Sequence, residues 1–391
     1  MQLEWYQIII GVLVGLVGLT ILVILHELGH AYLARRNGVK VEEFGVGFPP
    51  RAKVLGRQRG TLITLNWLLP LGGFCRLKGE SDAAREKGSY GAASYGAKTK
   101  ILLAGVTANL LTTILIFTIL SLFGMPKVFE GQFTMPGDEH ISGDRVTVQT
   151  VVDGLPAHAA GLRAGDTITS VDGQPTVDSA QIPALAMEKR DQTIRINYQR
   201  CQDQACTDAV ADVKLRGDNN DGRGYLGLSA GQNIYLRSTW SAPIVGTATT
   251  GQFVWLTLQG LGELLSNFAG GIIGSLSPDS ATRDHASASL AAAGDSVSGP
   301  VGILGVIFPN TVSRGATQLA FLVGIISLTL AIMNLLPIPG LDGGRWLLTT
   351  IFRLIKKPLT EELEGKINGI GMMCLFGLII LITVVDVLKL W

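Results

Sequence analysis

The residues of this sequence best suited to chemistry are two histidines and a glutamate in the run His26-Glu27-Leu28-Gly29-His30. On an α-helix, His26 and His30 lie one turn apart on one face, so both imidazoles can bind a single metal ion. The intervening Glu27 is then placed to act as a general base on a water molecule. The spacing predicts a zinc site with His26 and His30 as ligands and Glu27 as a catalytic residue.

Catalytic zinc usually has three protein ligands and an open position, so a third ligand must come from elsewhere in the chain. We predict Asp342, in the run Asn334-Leu-Leu-Pro-Ile-Pro-Gly-Leu-Asp342-Gly-Gly344. Two prolines interrupt a helix here and two glycines permit a tight turn. The alternative for Asp342 is a helix-starting cap. Asn334 is predicted to orient a substrate carbonyl or oxyanion, and the alternative for it is a helix–helix hydrogen bond.

Long apolar segments surround these residues. Charged residues are 16% of the chain and hydrophobic residues 47%, which excludes a disordered chain. The 32 basic residues nearly cancel the 31 acidic ones, which disfavours a general nucleic-acid binder. Four uncharged runs, at about 6–25, 101–123, 316–336 and 367–385, approach the roughly 20 residues that a helix needs to cross a bilayer. Ionisable groups at the end of such a run are costly, which favours function over a capping role for His26 and His30.

Basic residues near the spans predict the orientation. Thirteen lysines and arginines but only five acids besides Glu27 lie between the first two spans, and no lysine or arginine precedes the first span. Five more lie between the last two spans. We therefore expect both termini outside the membrane. The histidines and Asp342 then lie near its cytoplasmic side.

Residues from about 144 to 236, between the second and third spans, have ordinary charge density. Residues 148–173, with Gly154, Pro156 and Gly165-Asp166 at their turns, resemble a PDZ domain, a fold that binds extended peptides by strand addition. Tyr225–Leu228 would form one wall of the groove and receive a peptide C-terminus. The alternative is a domain that only blocks access sterically. Cys201 and Cys206 flank a polar turn, and the sequence leaves open whether they form a disulfide.

The remaining segments have weaker signals. Apolar residues recurring from Val254 to Phe268 predict an amphipathic helix on the outer membrane surface. The Ser/Ala/Gly-rich stretch that follows predicts a flexible link. In the cytoplasmic loop, the apolar run 68–74 predicts a re-entrant β segment in which Gly72, Gly73 and Phe74 bind substrate. A plain cytoplasmic hairpin is the alternative.

The fold class predicted is a multi-pass α-helical membrane protein with four transmembrane helices, an inserted extracytoplasmic α+β PDZ domain and a membrane-associated β hairpin on the cytoplasmic side. The predicted boundaries are 1–36, 98–126, 316–345 and 367–391 for the four transmembrane helices, 37–97 and 346–366 for the cytoplasmic segments, 127–238 for the PDZ domain, 239–270 for the interfacial helix and 271–315 for the link.

The two motifs, the PDZ-like insert and the order of the spans together resemble the bacterial site-2 proteases of the RseP type, which are intramembrane zinc metalloproteases. The resemblance implies that His26, His30 and Asp342 bind Zn²⁺ and that Glu27 activates water. It also implies single-pass membrane proteins as substrates, for example an anti-sigma factor in regulated intramembrane proteolysis. There are two departures. Many members have Ala-Gly-Pro where this chain has Ala104-Gly105-Val106, and the best-known members have two PDZ domains where we find one.

Two other functions fit parts of the pattern. A zinc transporter would need ionisable groups at several depths, but the second and third spans have none in their middles. A proteolytically inactive scaffold that tethers partners through its PDZ domain would not need the intact set of His26, Glu27, His30 and Asp342. The sequence therefore favours the metalloprotease.

Overall fold

The computed structural model describes residues 4–390 except 177, 178, 180, 203, 204, 220–223, 278 and 296–298. Its contacts divide the chain into two compact units. The β-rich unit comprises residues 121–241, and the helical unit comprises the residues up to 120 and those from 242 onwards. Each unit is described by itself.

The helical unit consists of long helices and one small sheet. Its elements are α1 (Trp5–Arg36), β1 (Val41–Gln58), β2 (Thr61–Leu77), α2 (Tyr95–Leu102), α3 (Ala104–Phe123), α6 (Ala242–Ser275), α7 (Ser280–Asp295), α8 (Pro300–Gly302), a π-helical turn (Ile303–Ile307), α9 (Phe308–Ser313), α10 (Ala316–Leu335), α11 (Asp342–Leu354) and α12 (Glu361–Leu390). The remaining labels, β3–β9, α4 and α5, belong to the β-rich unit.

Four helices in the described part of the chain, α1, α3, α10 and α12, are long and apolar enough to cross a membrane. Lipid gives backbone N–H and C=O groups no partners, so such runs satisfy them within a helix. The predicted four spans are therefore confirmed as helices of sufficient length. The second span is preceded by α2, whose last residue is separated from α3 by Leu103 alone, and Leu103 keeps a right-handed helical conformation.

The small sheet of the helical unit is the hairpin of β1 and β2, which turns at Arg59 and Gly60. Both strands bend, so residues 43–46 pair with residues 62–65 on one side and residues 73–76 on the other. The segment that contains Gly73 therefore lies at an edge of this sheet and packs on α1. The structure confirms the β conformation predicted for this loop. Its location at a membrane stays a prediction.

The β-rich unit has one sheet with strand order β3-β9-β4-β5-β7-β8, and β6 pairs with β5. Its elements are β3 (Met125–Pro126), β4 (Glu139–Val151), α4 (Pro156–Ala159), β5 (Thr167–Val171), β6 (Gln174–Pro175), α5 (Gln181–Glu188), β7 (Thr193–Gln202), β8 (Ala205–Lys214) and β9 (Leu228–Arg237). Apolar residues from the strands and from α5 form its core, including Val146, Ile168, Ile182 and Ile196. Cys201 and Cys206 form a disulfide between β7 and β8, which settles the question that the sequence left open.

The prediction of a flexible link over 271–315 is wrong for most of its described residues, because they form helices. Alanine favours helix over coil, and α7 packs on α6 where glycines bring the two helices together. A Cβ at Gly271 would lie 2.4 Å from Leu290 Cγ, and one at Gly274 would lie 2.8 Å from Ala286 Cβ. The predicted interfacial helix is present as α6 and is longer than predicted, whereas its place on the outer membrane surface stays a prediction.

Candidate active site

The side chains of His26, His30 and Asp342 converge on one point. His26 Nε2 lies 3.1 Å from Asp342 Oδ2, His30 Nε2 lies 3.2 Å from the same oxygen, and the two Nε2 atoms are 3.2 Å apart. Both histidines are buried. In the described part of the chain, these three residues form the group of His, Cys, Asp and Glu side chains placed to hold a metal ion.

His26 Nε2, His30 Nε2 and Asp342 Oδ2 form a triangle whose dimensions fit zinc. Zn²⁺ bound to nitrogen and oxygen at about 2.0–2.1 Å with tetrahedral angles has its ligand atoms about 3.3 Å apart, close to the three distances observed. Asp342 Oδ2 is buried and has no hydrogen-bond donor, so a cation would supply its missing partner. Three protein ligands also leave a fourth position open for water, as in catalytic zinc sites.

Helix geometry places the two histidines. They lie four residues apart on α1, and His26 follows Trp5 by 21 residues, or about 32 Å along the helix axis. The pair therefore lies at the far end of a bilayer-length helix. His30 Nδ1 is 2.7 Å from the carbonyl oxygen of Ile101. A carbonyl only accepts hydrogen bonds, so Nδ1 carries the proton and Nε2 keeps its lone pair for a metal.

A tight turn places Asp342. It is the first residue of α11, directly after the loop that contains Pro337 and Pro339. The next residue, Gly343, packs so closely that a Cβ would lie 2.1 Å from the carbonyl oxygen of Leu335. The residue that precedes the helix is Leu341, which makes no side-chain cap, and Asp342 Oδ2 has no hydrogen-bond partner. The structure thus favours the ligand role over the alternative of a helix cap.

Glu27 lies next to the three converging side chains of His26, His30 and Asp342, and it faces β2. It lines a cavity of about 260 Å³ together with His30, Asp342 and Cys75 of β2. Burial, and then the neighbouring Glu27 carboxylate, raise the pKa of the Cys75 thiol to about 12. Cys75 is therefore a neutral thiol at physiological pH.

The predicted substrate-binding residues lie on the same wall, in β2. A Cβ at Gly73 would lie 3.8 Å from Glu27 Cγ, so the backbone of Gly73 comes close to the catalytic carboxylate. Phe74 lines the cavity. Gly72 has a φ of +140° and is packed against the ring of Phe48. The structure brings Gly73 and Phe74 to the site, and their contact with substrate stays a prediction.

Comparison with known proteins gives the family. The model of peptidase family M50 matches residues 14–378. The chain belongs to peptidase family M50. Relatives matched over nearly their whole length include a protein of Clostridium perfringens named as a candidate zinc metalloprotease (27% identical, 96% of this chain and 98% of that protein). Proteins named zinc metalloprotease RasP match from Shouchella clausii (25% identical, 95% and 97%) and Geobacillus kaustophilus (24%, 94% and 95%).

The family match and these relatives confirm the predicted enzyme class, a zinc metalloprotease of the site-2 protease family. Among solved structures, the PDZ domain of the SdrC-like protein from Listeria monocytogenes is 30% identical. The match covers 23% of this chain and 90% of that chain, with a TM-score of 0.19.

Asn334, predicted to act on the substrate, lies half-buried near the end of α10 of this peptidase. Its amide nitrogen donates to the carbonyl oxygen of Leu330, one turn earlier on the same helix, at 2.9 Å. This contact stays within α10 and differs from the helix–helix bond that was the alternative. It uses one of the two amide N–H groups of Asn334, and the action of this residue on substrate stays a prediction.

The sequence reasoning missed one face of the second span. Ile101, Gly105 and Asn109 follow one another at four-residue steps, and all three are buried against the histidines. A Cβ at Gly105 would lie 2.4 Å from His26 Cε1 and 2.5 Å from His30 Nε2. The available signal was the four-residue spacing of these residues. One of them is a glycine and another acts through its backbone carbonyl, so residue type does not reveal their function.

This packing predicts a specific effect of Gly105→Ala. The added methyl group must displace both imidazoles by about 1 Å, and a misplacement of that size lowers activity by about a hundredfold. We expect turnover of a peptide-bond substrate to fall by that factor. The control is Gly96→Ala in α2, where a Cβ would meet nothing within 4 Å and turnover should be unchanged. Equal effects of the two substitutions would contradict the contact.

Proposed function

We propose that this peptidase hydrolyses a peptide bond within or near the transmembrane segment of single-pass membrane proteins. In this proposal His26, His30 and Asp342 hold Zn²⁺ and Glu27 acts as the general base. The observation that supports it is the convergence of three ligand atoms, with Glu27 beside them, at the end of a helix long and apolar enough to cross a membrane. A soluble peptidase has no need for such a helix.

The side chains divide the chemistry between them. When bound, Zn²⁺ polarises the scissile carbonyl and lowers the pKa of water. Glu27 accepts a proton from the attacking water and later donates it to the leaving nitrogen. Glu27 lies on the wall of the cavity that His30 and Asp342 also line. Asn334 is proposed to orient the substrate carbonyl or the oxyanion through its amide group.

The sheet edge in β2 gives a way to present the substrate. A transmembrane helix has its peptide bonds enclosed by the helical hydrogen bonds, so it must unwind before hydrolysis. An extended chain can pair with the free edge of the segment 73–77, which is already paired on its other side with β1. That edge passes Glu27 at Gly73 and Cys75. We therefore propose that the unwound substrate adds a strand there and that Gly72, Gly73 and Phe74 contact it.

The membrane setting follows from the spans and their flanking charges. The four apolar helices make the chain an integral membrane protein in this proposal, with a bacterial inner (plasma) membrane as its location. The thirteen basic residues of the loop between the first two spans favour a cytoplasmic loop and hence an active site near the cytoplasmic side. Both termini and the β-rich unit then lie outside.

We further propose that the β-rich unit is a PDZ domain that receives a peptide C-terminus. Its strand β9 follows the run Tyr225–Leu228 and pairs with β4 along one side. On its other side, among the described residues, β3 pairs with the end of β9 at Tyr235 and Leu236, and the N–H of Lys127 donates to Ile234. The beginning of β9 is therefore placed for strand addition. Such a groove would dock or select substrates before cleavage in regulated intramembrane proteolysis, for example of an anti-sigma factor.

Comparative membrane proteomics tests the proposed function. Membranes of cells producing the wild-type chain are compared with membranes of cells producing Glu27→Gln. Single-pass proteins that accumulate only with the variant are the substrates, and mass spectrometry of their products in wild-type cells locates the cut. The proposal predicts cuts within or beside the apolar segment. Cuts confined to soluble domains, or no stabilised single-pass protein, would contradict it.

A further inference from the structure

One buried amide next to the active site is unused in the function proposed above. Asn109 of α3 is 1% exposed, and its Nδ2 lies 3.4 Å from Nδ1 of His26. Its Oδ1 is buried and has no hydrogen-bond partner. An unpartnered amide oxygen in an apolar interior is costly, so this oxygen needs a donor, and His26 Nδ1 is the ring nitrogen beside it.

The protonation of His26 supplies that donor. His26 Nε2 points at Asp342 Oδ2 and at His30, so as a metal ligand it must be unprotonated. A neutral imidazole then carries its proton on Nδ1. An Nδ1–H opposite the NH₂ of Asn109 would set two donors face to face. Rotating the amide by 180° exchanges its nitrogen and oxygen, so that Oδ1 accepts from Nδ1–H and both problems disappear.

The backbone around Asn109 holds this geometry in place. The hydroxyl of Ser327 on α10 donates to the Asn109 carbonyl oxygen at 2.9 Å, and that of Thr113 donates to it at 3.1 Å. The bond from Ser327 thus ties the backbone of Asn109 to α10, whereas the bond from Thr113 lies within α3. Along the same face, the carbonyl oxygen of Ile101 accepts a hydrogen bond from His30 Nδ1. Each histidine therefore has its own acceptor on the second span, eight residues apart.

We propose that Asn109 is a positioning residue for the metal site, which accepts a hydrogen bond from His26 Nδ1–H and so fixes the tautomer and the ring orientation that Zn²⁺ requires. This inference rests on the proposed function, because it assumes that His26 binds Zn²⁺ through Nε2. Acceptors of this kind raise the basicity of a ligating imidazole, and their loss typically lowers metal affinity by about 10- to 100-fold.

The test measures zinc affinity and apo-protein stability in the purified full chain. The zinc dissociation constant is obtained by competition with a chelator, and the melting temperature is measured without zinc. For Asn109→Leu, and for Asn109→Ala in case leucine does not fit, we expect zinc to bind about 10- to 100-fold more weakly. Asn109→Asp, which keeps an acceptor oxygen, should bind zinc within about threefold of wild type or more tightly. Melting temperatures without zinc should stay close to that of wild type.

Two controls separate the possible failures. Thr112→Val removes a hydroxyl that bonds to Ala108 within α3 and should leave zinc affinity unchanged. His26→Ala should abolish tight zinc binding; if it does not, the proposed metal site itself is wrong. If His26→Ala loses zinc while Asn109→Leu and Asn109→Ala keep it, only the positioning role is overturned. Equal zinc losses in the Leu and Asp variants, with a lowered melting temperature, would show a packing role and would also overturn it.

Discussion

Replacing Glu27 by glutamine is expected to lower kcat for peptide-bond cleavage by about 100- to 10,000-fold, the contribution of a positioned general base. Glutamine has nearly the same shape and keeps an amide oxygen that can accept hydrogen bonds. It cannot take a proton from water. Since the three proposed ligands are untouched, zinc content should remain about one ion per chain. The measurement is cleavage of a reconstituted single-pass substrate, with metal analysis of the same preparation.

The control must change charge in the same cavity without removing the base. Glu80 also lines the cavity, and its carboxylate accepts from the N–H of Leu77 at 2.7 Å. Glu80→Gln should therefore lower kcat by less than about tenfold, since surface and rim charges contribute modestly. Full cleavage by Glu27→Gln would remove Glu27 from the mechanism. An equal loss in both variants would show that the charge of the cavity, rather than the base, is responsible.

The residues that carry local patterns could be predicted from the sequence. The four-residue spacing of His26 and His30 is a property of one helix and needs no tertiary information. Asp342 lies more than 300 residues away in sequence, but the distribution of basic residues placed it on the same side of the membrane as the histidines. Hydropathy located the four long helices because lipid exposure imposes a uniform composition on them.

The residues that act by packing could not be predicted in this way. Gly105 leaves room for the imidazoles because it has no side chain, and Ile101 acts through its backbone oxygen. Neither role can be recognised from the residue type. The helix α7 was predicted as a flexible link because its Ser and Ala content is typical of linkers. Its helical structure depends on contact with the glycines of α6, and a contact between two segments is not encoded in the composition of either one.

Replacing Asp342 by asparagine is expected to weaken zinc binding on the order of a hundredfold and to lower cleavage with it. Apparent binding energies of about 10–16 kcal/mol for four-ligand zinc sites correspond to about 3 kcal/mol per ligand, which is on the order of a hundredfold in affinity. The carboxylate oxygen of Asp342 lies 3.1 and 3.2 Å from the two histidine nitrogens. Asparagine keeps the volume but replaces an anionic oxygen by a neutral one.

This substitution also separates the two roles considered for Asp342. An acidic residue in the first turn of a helix contributes about 0.3–1 kcal/mol through the helix dipole, and asparagine is itself well suited to a helix start. If Asp342 only started α11, the variant would bind zinc like the wild type and lose little stability. Glu361→Gln, in the first turn of α12, is the matched control for the helix-start effect and should bind zinc normally. Zinc titration of the three proteins therefore distinguishes a metal ligand from a helix-starting residue, because only loss of a ligand changes the affinity.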